Sequence, residues 1–131
     1  MSDTNFRPRR RVLIADDDAQ LRGILGLFLS GEGYDITQAR NGMEAIALHG
    51  RMPFDVLVTE IVMREKDGFE TLRELRRRPS PPKFIAMCGD NRMSSELYLR
   101  IARSLGAQCV LTKPFLPEQL SAAIRHVLGE Y

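Results

Sequence analysis

Five residues of this 131-residue chain combine reactive chemistry with a shared position: each stands at or just past the end of a short apolar run. Asp16 and Asp17 follow Val12 to Ala15, Glu60 follows Phe54 to Thr59, Cys88 follows Phe84 to Met87, and Lys113 lies just beyond Cys109 to Leu111. Taken singly, an acid in such a place caps a helix or solvates a loop. Taken together, they are three carboxylates, a thiol and an ammonium that one geometry could gather. Crowded carboxylates raise one another's pKa unless a cation sits among them, so the cluster calls for Lys113 or a bound divalent ion. Mg²⁺ suits oxygen ligands, because it takes one or two carboxylates and keeps several waters. Lys113 is better suited to an anion.

An alternation of strands and helices must position these groups. Val12 to Ala15 has the pattern of a strand buried on both faces, and it ends abruptly at Asp16, Asp17 and Asp18. Leu21, Ile24, Leu25, Phe28 and Leu29 recur at helical spacing, with Asp18 as N-cap and Gly31 and Gly33 as stop signals. Tyr34 to Ala39 predicts a second strand, and Asn41-Gly42 opens a helix whose apolar positions are Met43, Ala45, Ile46 and Ala47. Pro53 closes that unit before the third strand, Phe54 to Thr59. After Asp67-Gly68, a third helix carries Phe69, Leu72 and Leu75 as its stripe, with Glu70, Arg73, Glu74, Arg77 and Arg78 at charge-pair spacing, and ends at Pro79, Pro81 and Pro82. Phe84 to Met87 makes strand four. Leu97, Ile101 and Leu105 mark a fourth helix ending at Gly106, Cys109 to Leu111 makes strand five, and Pro117 to Leu128 is the last helix. Five apolar strands alternating with five helices predict a doubly wound α/β fold, a parallel sheet covered on both faces. Functional groups in such sheets collect outside the carboxyl ends of the strands, where the five residues stand.

Composition bounds the class. The chain has the length of one domain, with 44% hydrophobic and 27% charged residues, so neither disorder nor a fibrous repeat is indicated. Its apolar runs are far shorter than the ~20 residues of a membrane span, and the basic, polar start does not read as a secretory signal. A cytoplasmic protein is the expectation, with no membrane partner. The net charge of +2 is uneven, because Arg7, Arg9, Arg10 and Arg11 sit together near the start. Residues 1–10 are expected to be a basic, flexible tail leading into one domain over residues 11–131, and specific nucleic-acid binding is not expected from so short a cluster.

The blocks VLIADDD, DVLVTE with MREKDG behind it, FIAMCG and LTKPF occur in the order and spacing of a known family, over residues 11 to 128. The chain resembles the receiver domain of two-component response regulators, of the CheY-like type. That resemblance implies a flavodoxin-like (βα)5 sheet in three layers with strand order 2-1-3-4-5. In receivers of this kind a sensor histidine kinase passes a phosphoryl group to an aspartate after strand three, with Mg²⁺ held in an acidic pocket. Matched residue by residue, Asp16 and Asp17 are the acidic pocket, and the metal set is Asp17, the acceptor position, the Val62 carbonyl, and Asp16 through water. Lys113 matches the lysine that pairs with the acceptor and phosphoryl oxygens, and Lys113-Pro114 matches a bond that is usually cis in the family.

Four positions depart from the pattern. The acceptor position is Glu60, the phosphate-contacting Ser or Thr after strand four is Cys88, the strand-five aromatic is Val110, and a common proline four residues after the acceptor is Arg64. Glutamate's extra methylene places its carboxylate toward Lys113 and disturbs the in-line geometry that phosphoryl transfer needs. The same reach lets Glu60 set one negative charge where a phosphoryl oxygen would lie, less charge than a phosphate carries. A thiol is only a weak donor, and a valine cannot rotate inward as an aromatic does. The expected function is therefore an atypical receiver in phosphorelay signalling, not an enzyme in the ordinary sense. It would act by contact with a kinase, phosphotransfer protein or effector through the helix four, strand five, helix five surface, where Tyr98 is placed. A homodimer is compatible with this. One alternative is a working phosphorelay receiver that still accepts a phosphoryl group in the pocket. Another, of a different class, is a flavodoxin-like cofactor-binding protein, against which the lack of a glycine-rich loop after strand one argues.

Of the remaining reactive residues, His49 and His126 read as surface or dipole-complementing groups near helix ends. Cys88 and Cys109, at opposite ends of adjacent strands, are expected about 10 Å apart and unbridged. For Cys88, a buried small residue is favoured over a redox-active thiol activated by Lys113.

Overall fold

A computed structural model describes residues 9–61, 63, 67–89 and 95–130, with the side chains of Ser95 and Tyr98 excepted. The expectations that fall on Val62, Arg64 and the Tyr98 side chain lie outside the described residues. Strand and helix alternate without interruption: β1 (Arg11–Ala15), α1 (Ala19–Gly31), β2 (Asp35–Ala39), α2 (Gly42–Arg51), β3 (Val56–Glu60), α3 (Gly68–Leu75), β4 (Lys83–Cys88), α4 (Ser95–Ser104), β5 (Ala107–Thr112) and α5 (Pro117–Leu128). All neighbouring strands pair in parallel, in the order β2-β1-β3-β4-β5. The doubly wound fold expected from the sequence is the one observed.

Side chains alternate along each strand, so the sheet divides the core in two. Leu13, Leu57, Phe84 and Ala86 face Ala45, Leu72, Leu75 and Ala102, which come from α2, α3 and α4. Val12, Ile14, Val58 and Met87 face Leu25, Leu29, Leu120 and Ile124 from α1 and α5. Burial of a large aliphatic side chain stabilises by about 1.5–3 kcal/mol, and Leu13, Ile14, Leu57, Leu72 and Ile85 are each at most 1% exposed. Among the described residues no helix is long and apolar enough to cross a membrane.

The helix starts follow local chemistry. Asp18 accepts the Gln20 and Leu21 N–H groups, Asn41 the Glu44 N–H, and Asp67 the Glu70 N–H, each satisfying donors that a first turn leaves free. Four apolar positions read as stripe are instead exposed: Ile24 at 54% on α1, Met43 at 59% and Ala47 on α2, and Leu97 at 40% on α4. On α1 the buried line runs through Arg22, Leu25, Gly26 and Leu29, so Ile24 is turned to its edge.

His49 corrects a second expectation, because it is buried. The Phe54 N–H donates to its Nδ1 at 3.0 Å, and its Nε2 lies 2.9 Å from the Ser80 carbonyl oxygen. With Nδ1 accepting, Nε2 carries the proton and donates to that carbonyl. Its ring stacks on that of Phe54, over which the Arg11 guanidinium lies 4.3 Å from the ring centroid. His49 therefore ties the end of α2 to the approaches of β3 and β4; its exposed counterpart His126 remains at the surface. The two cysteines are free, and Ile85, not Cys88, pairs with Cys109 in register. They also belong to opposite core layers.

Replacing His49 with Ala leaves the buried Phe54 N–H without an acceptor and opens a cavity beside Phe54. Urea unfolding is expected to show a loss of about 2–4 kcal/mol, against less than about 0.5 kcal/mol for His126→Ala.

Candidate functional site

The sheet order reverses direction between β1 and β3, and the last paired residues there are Ala15 and Thr59. One residue farther along each strand stand Asp16 and Glu60, which is why two carboxylates meet at the switch point. Lys113, directly after β5, reaches Glu60 from two strands away and Asp16 from three. Its Nζ lies 2.8 Å from Asp16 Oδ2 and 3.2 Å from Glu60 Oε1. On its way the Lys113 stem crosses Gly89, where an added Cβ would stand 2.8 Å from Lys113 Cδ; only a residue without a side chain leaves that path open. The Lys113 N–H donates to the Cys88 carbonyl at 2.8 Å, anchoring the chain where the side chain turns inward. The Lys113-Pro114 bond that follows is cis.

Each carboxylate is held differently. Asp16 is buried, and its Oδ1 accepts the Asp18 N–H at 2.9 Å while Oδ2 takes Lys113. Its carbonyl oxygen accepts from the Arg22 guanidinium, which is itself held through Nε by Gln38 Oε1 at 3.2 Å. Glu60 is buried too, but its Oε2 has no hydrogen-bond partner among the described residues. Asp17 is exposed. Behind Glu60 the backbone is fixed by α3. The Gly68 N–H donates to the Ile61 carbonyl at 2.8 Å, and a Cβ at Gly68 would collide with the Glu60 carbonyl oxygen.

The electrostatics follow from these contacts. Burial pushes the Glu60 carboxyl up to about 7, against the pull of Lys113 and with a further push from Asp16. For Lys113, burial alone would lower the pKa, but hydrogen bonding and charge from Asp16 and Glu60 together raise it. The two directions are compatible because the ammonium has two acceptors, the closer being Asp16, whereas one oxygen of Glu60 is desolvated with nothing in return. Burial also raises the Cys88 thiol, with a Thr112 side-chain hydrogen bond opposing it. The thiol is therefore the favoured form, which agrees with a buried small residue and speaks against activation by Lys113. Val110 packs partly buried against the α2, α3, α4 layer.

Mg²⁺ can be tested against this donor set. Asp16 Oδ1 and Oδ2 and Glu60 Oε1 each accept a hydrogen bond, Glu60 Oε2 is buried without a partner among the described residues, and Asp17 is exposed. The Val62 carbonyl expected to complete the set lies outside the described residues. Asp16 and Glu60 thus offer oxygen donors of the kind Mg²⁺ takes, and in this arrangement the Lys113 ammonium is the cation that neutralises them.

Arg22, which no motif in the sequence marks, also belongs to this site. Its signal was present: Arg22 shares the helical spacing of Leu25 and Leu29, so a charged group was due on a buried face. Arg22 thereby holds the backbone of Asp16 from the α1 side, while Lys113 holds its carboxylate.

Because the folded-state pKa of Glu60 lies above its ordinary 4.5, the folded protein holds this proton more tightly than the unfolded chain does. The resulting stability is fully present below pH 4.5 and is lost as the pH rises to about 7. In urea unfolding, Glu60→Gln is expected to remove on the order of 2 kcal/mol of pH-dependent change across that window. Parallel stability profiles for the variant and the native chain would contradict the assignment.

Comparison with known proteins agrees with this geometry. The family model described as the response regulator receiver domain matches residues 12–125. Among curated relatives, a probable transcriptional regulator ycf27 of Guillardia theta is 35% identical over 127 residues, covering 96% of this chain and 48% of that protein. The transcriptional regulatory protein CpxR of Klebsiella pneumoniae is 34% identical over 118 residues, covering 90% and 49%. The chain thus spans about half the length of the curated relatives it matches. The solved chemotaxis protein CheY4 of Vibrio cholerae superposes with a TM-score of 0.83 at 27% identity, covering 92% of this chain and 99% of that one. With the family model spanning most of the chain and the acidic pocket at the sheet's switch point, the chain belongs to the response regulator receiver family of two-component signalling.

Proposed function

We propose that this receiver works as a protein-contact module whose signalling is uncoupled from aspartyl phosphorylation. Glu60 holds the phosphoacceptor position, Asp16 and Asp17 the acidic pocket, and Cys88, Val110 and Lys113 the switch and phosphate-contact positions. The observation that carries the reading is the 3.2 Å pair between Glu60 Oε1 and Lys113 Nζ. The lysine that would otherwise meet a phosphoryl group is engaged by the longer acid and by Asp16, and the incoming group would have to break both contacts. Mg²⁺ would compete with Lys113 for the same oxygens.

The switch positions support the same reading. Cys88 is buried with its thiol occupied by Thr112, so it offers no strong hydroxyl donor to a phosphoryl oxygen. Val110 lies against the core layer and lacks a ring to exchange between inward and outward positions. The surface of α4, β5 and α5 would then be constant in shape, and a histidine kinase, phosphotransfer protein or effector would read it as it stands.

The alternative, a working phosphorelay receiver, has one feature in its favour: Asp17 is an exposed carboxylate beside the pocket. The two readings separate on incubation with acetyl phosphate and Mg²⁺, followed by intact mass and peptide mapping. The native chain is expected to carry no phosphoryl adduct, and Glu60→Asp, which shortens the acid and frees Lys113, is expected to gain one. A native adduct on Glu60 or Asp17 would return the protein to the phosphorelay.

A further inference from the structure

The sequence between Arg73 and Lys83 carries five basic residues and one acidic, while the whole chain carries only +2, so the rest of the chain is net negative. The fold then adds to this cluster. Arg76 Nη1 donates to the Ser104 carbonyl at 3.2 Å, and its side chain lies against Gly106, which brings the end of α3 to the end of α4 and its Arg103. Arg73, Arg76, Arg77, Lys83 and Arg103 are all exposed. Of the basic residues on this face, only Arg78 has a carboxylate within ion-pair distance among the described residues, that of Glu74. Arg76 and Lys83 flank a depression of 280 Å³ that Pro81, Gly106 and Gln108 help to line.

This face lies at the end of the sheet where β4 begins, away from the acidic pocket at the strands' carboxyl ends. Basic residues in a last helical turn complement the helix dipole, which accounts for Arg73 and Arg103. It extends to Arg76, the C-cap of α3, but not to Lys83 at the start of β4, and it does not call for Arg77 and Arg78 beyond the cap.

We propose that this face, built from the end of α3, the start of β4 and the end of α4, docks an acidic segment of a partner protein. Charge complementarity sets the sign, and the arginine fork matches carboxylates in pairs. The pattern of charge selects a peptide over nucleic acid. Glu70 and Glu74 line the same depression as Arg73 and Arg77, and a phosphodiester strand, charged at every nucleotide, would meet them. A peptide can set neutral or basic residues opposite those glutamates. A second copy presenting the same face would set like charges against one another. The proposal is independent of how Glu60 and Lys113 behave.

The test uses a fluorescein-labelled peptide in which glutamates alternate with leucine and serine, oligothymidylate of matching length, and anisotropy at low and moderate salt. The native chain is expected to bind the peptide more tightly than the oligonucleotide. Arg73→Glu with Arg77→Glu should weaken peptide binding about tenfold or more, as should Arg76→Glu with Lys83→Glu, whereas Arg40→Glu on another face should leave it unchanged. Circular dichroism verifies that each variant is folded, and the surface pair Arg73 and Arg77 serves if the Arg76 variant is not. Amide shifts of the native chain on titration are expected to centre on 73–83 and 103–108. No peptide binding, or binding indifferent to both charge reversals, would overturn the proposal. Tighter binding of the oligonucleotide through the same arginines would assign the face to nucleic acid instead. Light scattering that shows self-association abolished by the reversals would assign it to a second copy.

Discussion

The arrangement turns on one ammonium group placed between two buried carboxylates that belong to different strands. Without Lys113, Asp16 and Glu60 would be two desolvated acids side by side, and both could not remain charged. With it, β1, β3 and β5 are joined at their carboxyl ends by a side chain that crosses β4. Two features accompany that crossing: a glycine at 89, against which the stem passes, and a backbone hydrogen bond from Lys113 to Cys88. The glutamate meets this lysine with one oxygen and leaves the other without a partner, so the pocket is neutralised on one side and strained electrostatically on the other.

The family relationship and the departures from it act on different parts of the molecule. The strands, helices and caps that position the pocket are those a receiver requires, and the match to the receiver family spans residues 12–125. Of the four departures read from the sequence, three fall on β3, β4 and β5, and the fourth, Arg64, lies outside the described residues. Glu60, Cys88 and Val110 change the length, the donor strength and the shape of side chains there, and none of them alters the backbone path that the sheet dictates. A fold can therefore be kept while the chemistry at its rim is replaced.

Much of the architecture was legible in the sequence because apolar runs and turn signals agree with one another. Val12 to Ala15 ends at Asp16, Asn41-Gly42 opens a helix, and Pro117 begins the last one. The candidate site was legible in its members, since each sits at a strand's end, but not in its pairings. That Lys113 binds Asp16 more closely than Glu60, and that Asp17 stands exposed, depends on a few tenths of an ångström in loop geometry that no spacing encodes. Two buried polar residues were misread or passed over for different reasons. His49 looked isolated because its partners are backbone groups of Phe54 and Ser80, which leave no signature in side-chain patterns. Arg22 shared the spacing of the buried stripe, but a cation there becomes sensible only once the Asp16 carbonyl is known to face it. Ile24 and Met43 erred the other way, as apolar residues near the stripe that the helix turns outward.

One consequence follows from the way α3 is fixed. The helix spans eight residues, about 12 Å. At its first residue, Gly68 is pressed against the backbone of Glu60 too closely for any side chain, and just past its last, Arg76 is fastened to the end of α4. The short helix therefore has the Glu60 backbone at one end and the arginine-rich face at the other, so the tight packing that sets the position of the acid also sets where α3 begins and, one helix length away, where its arginines emerge.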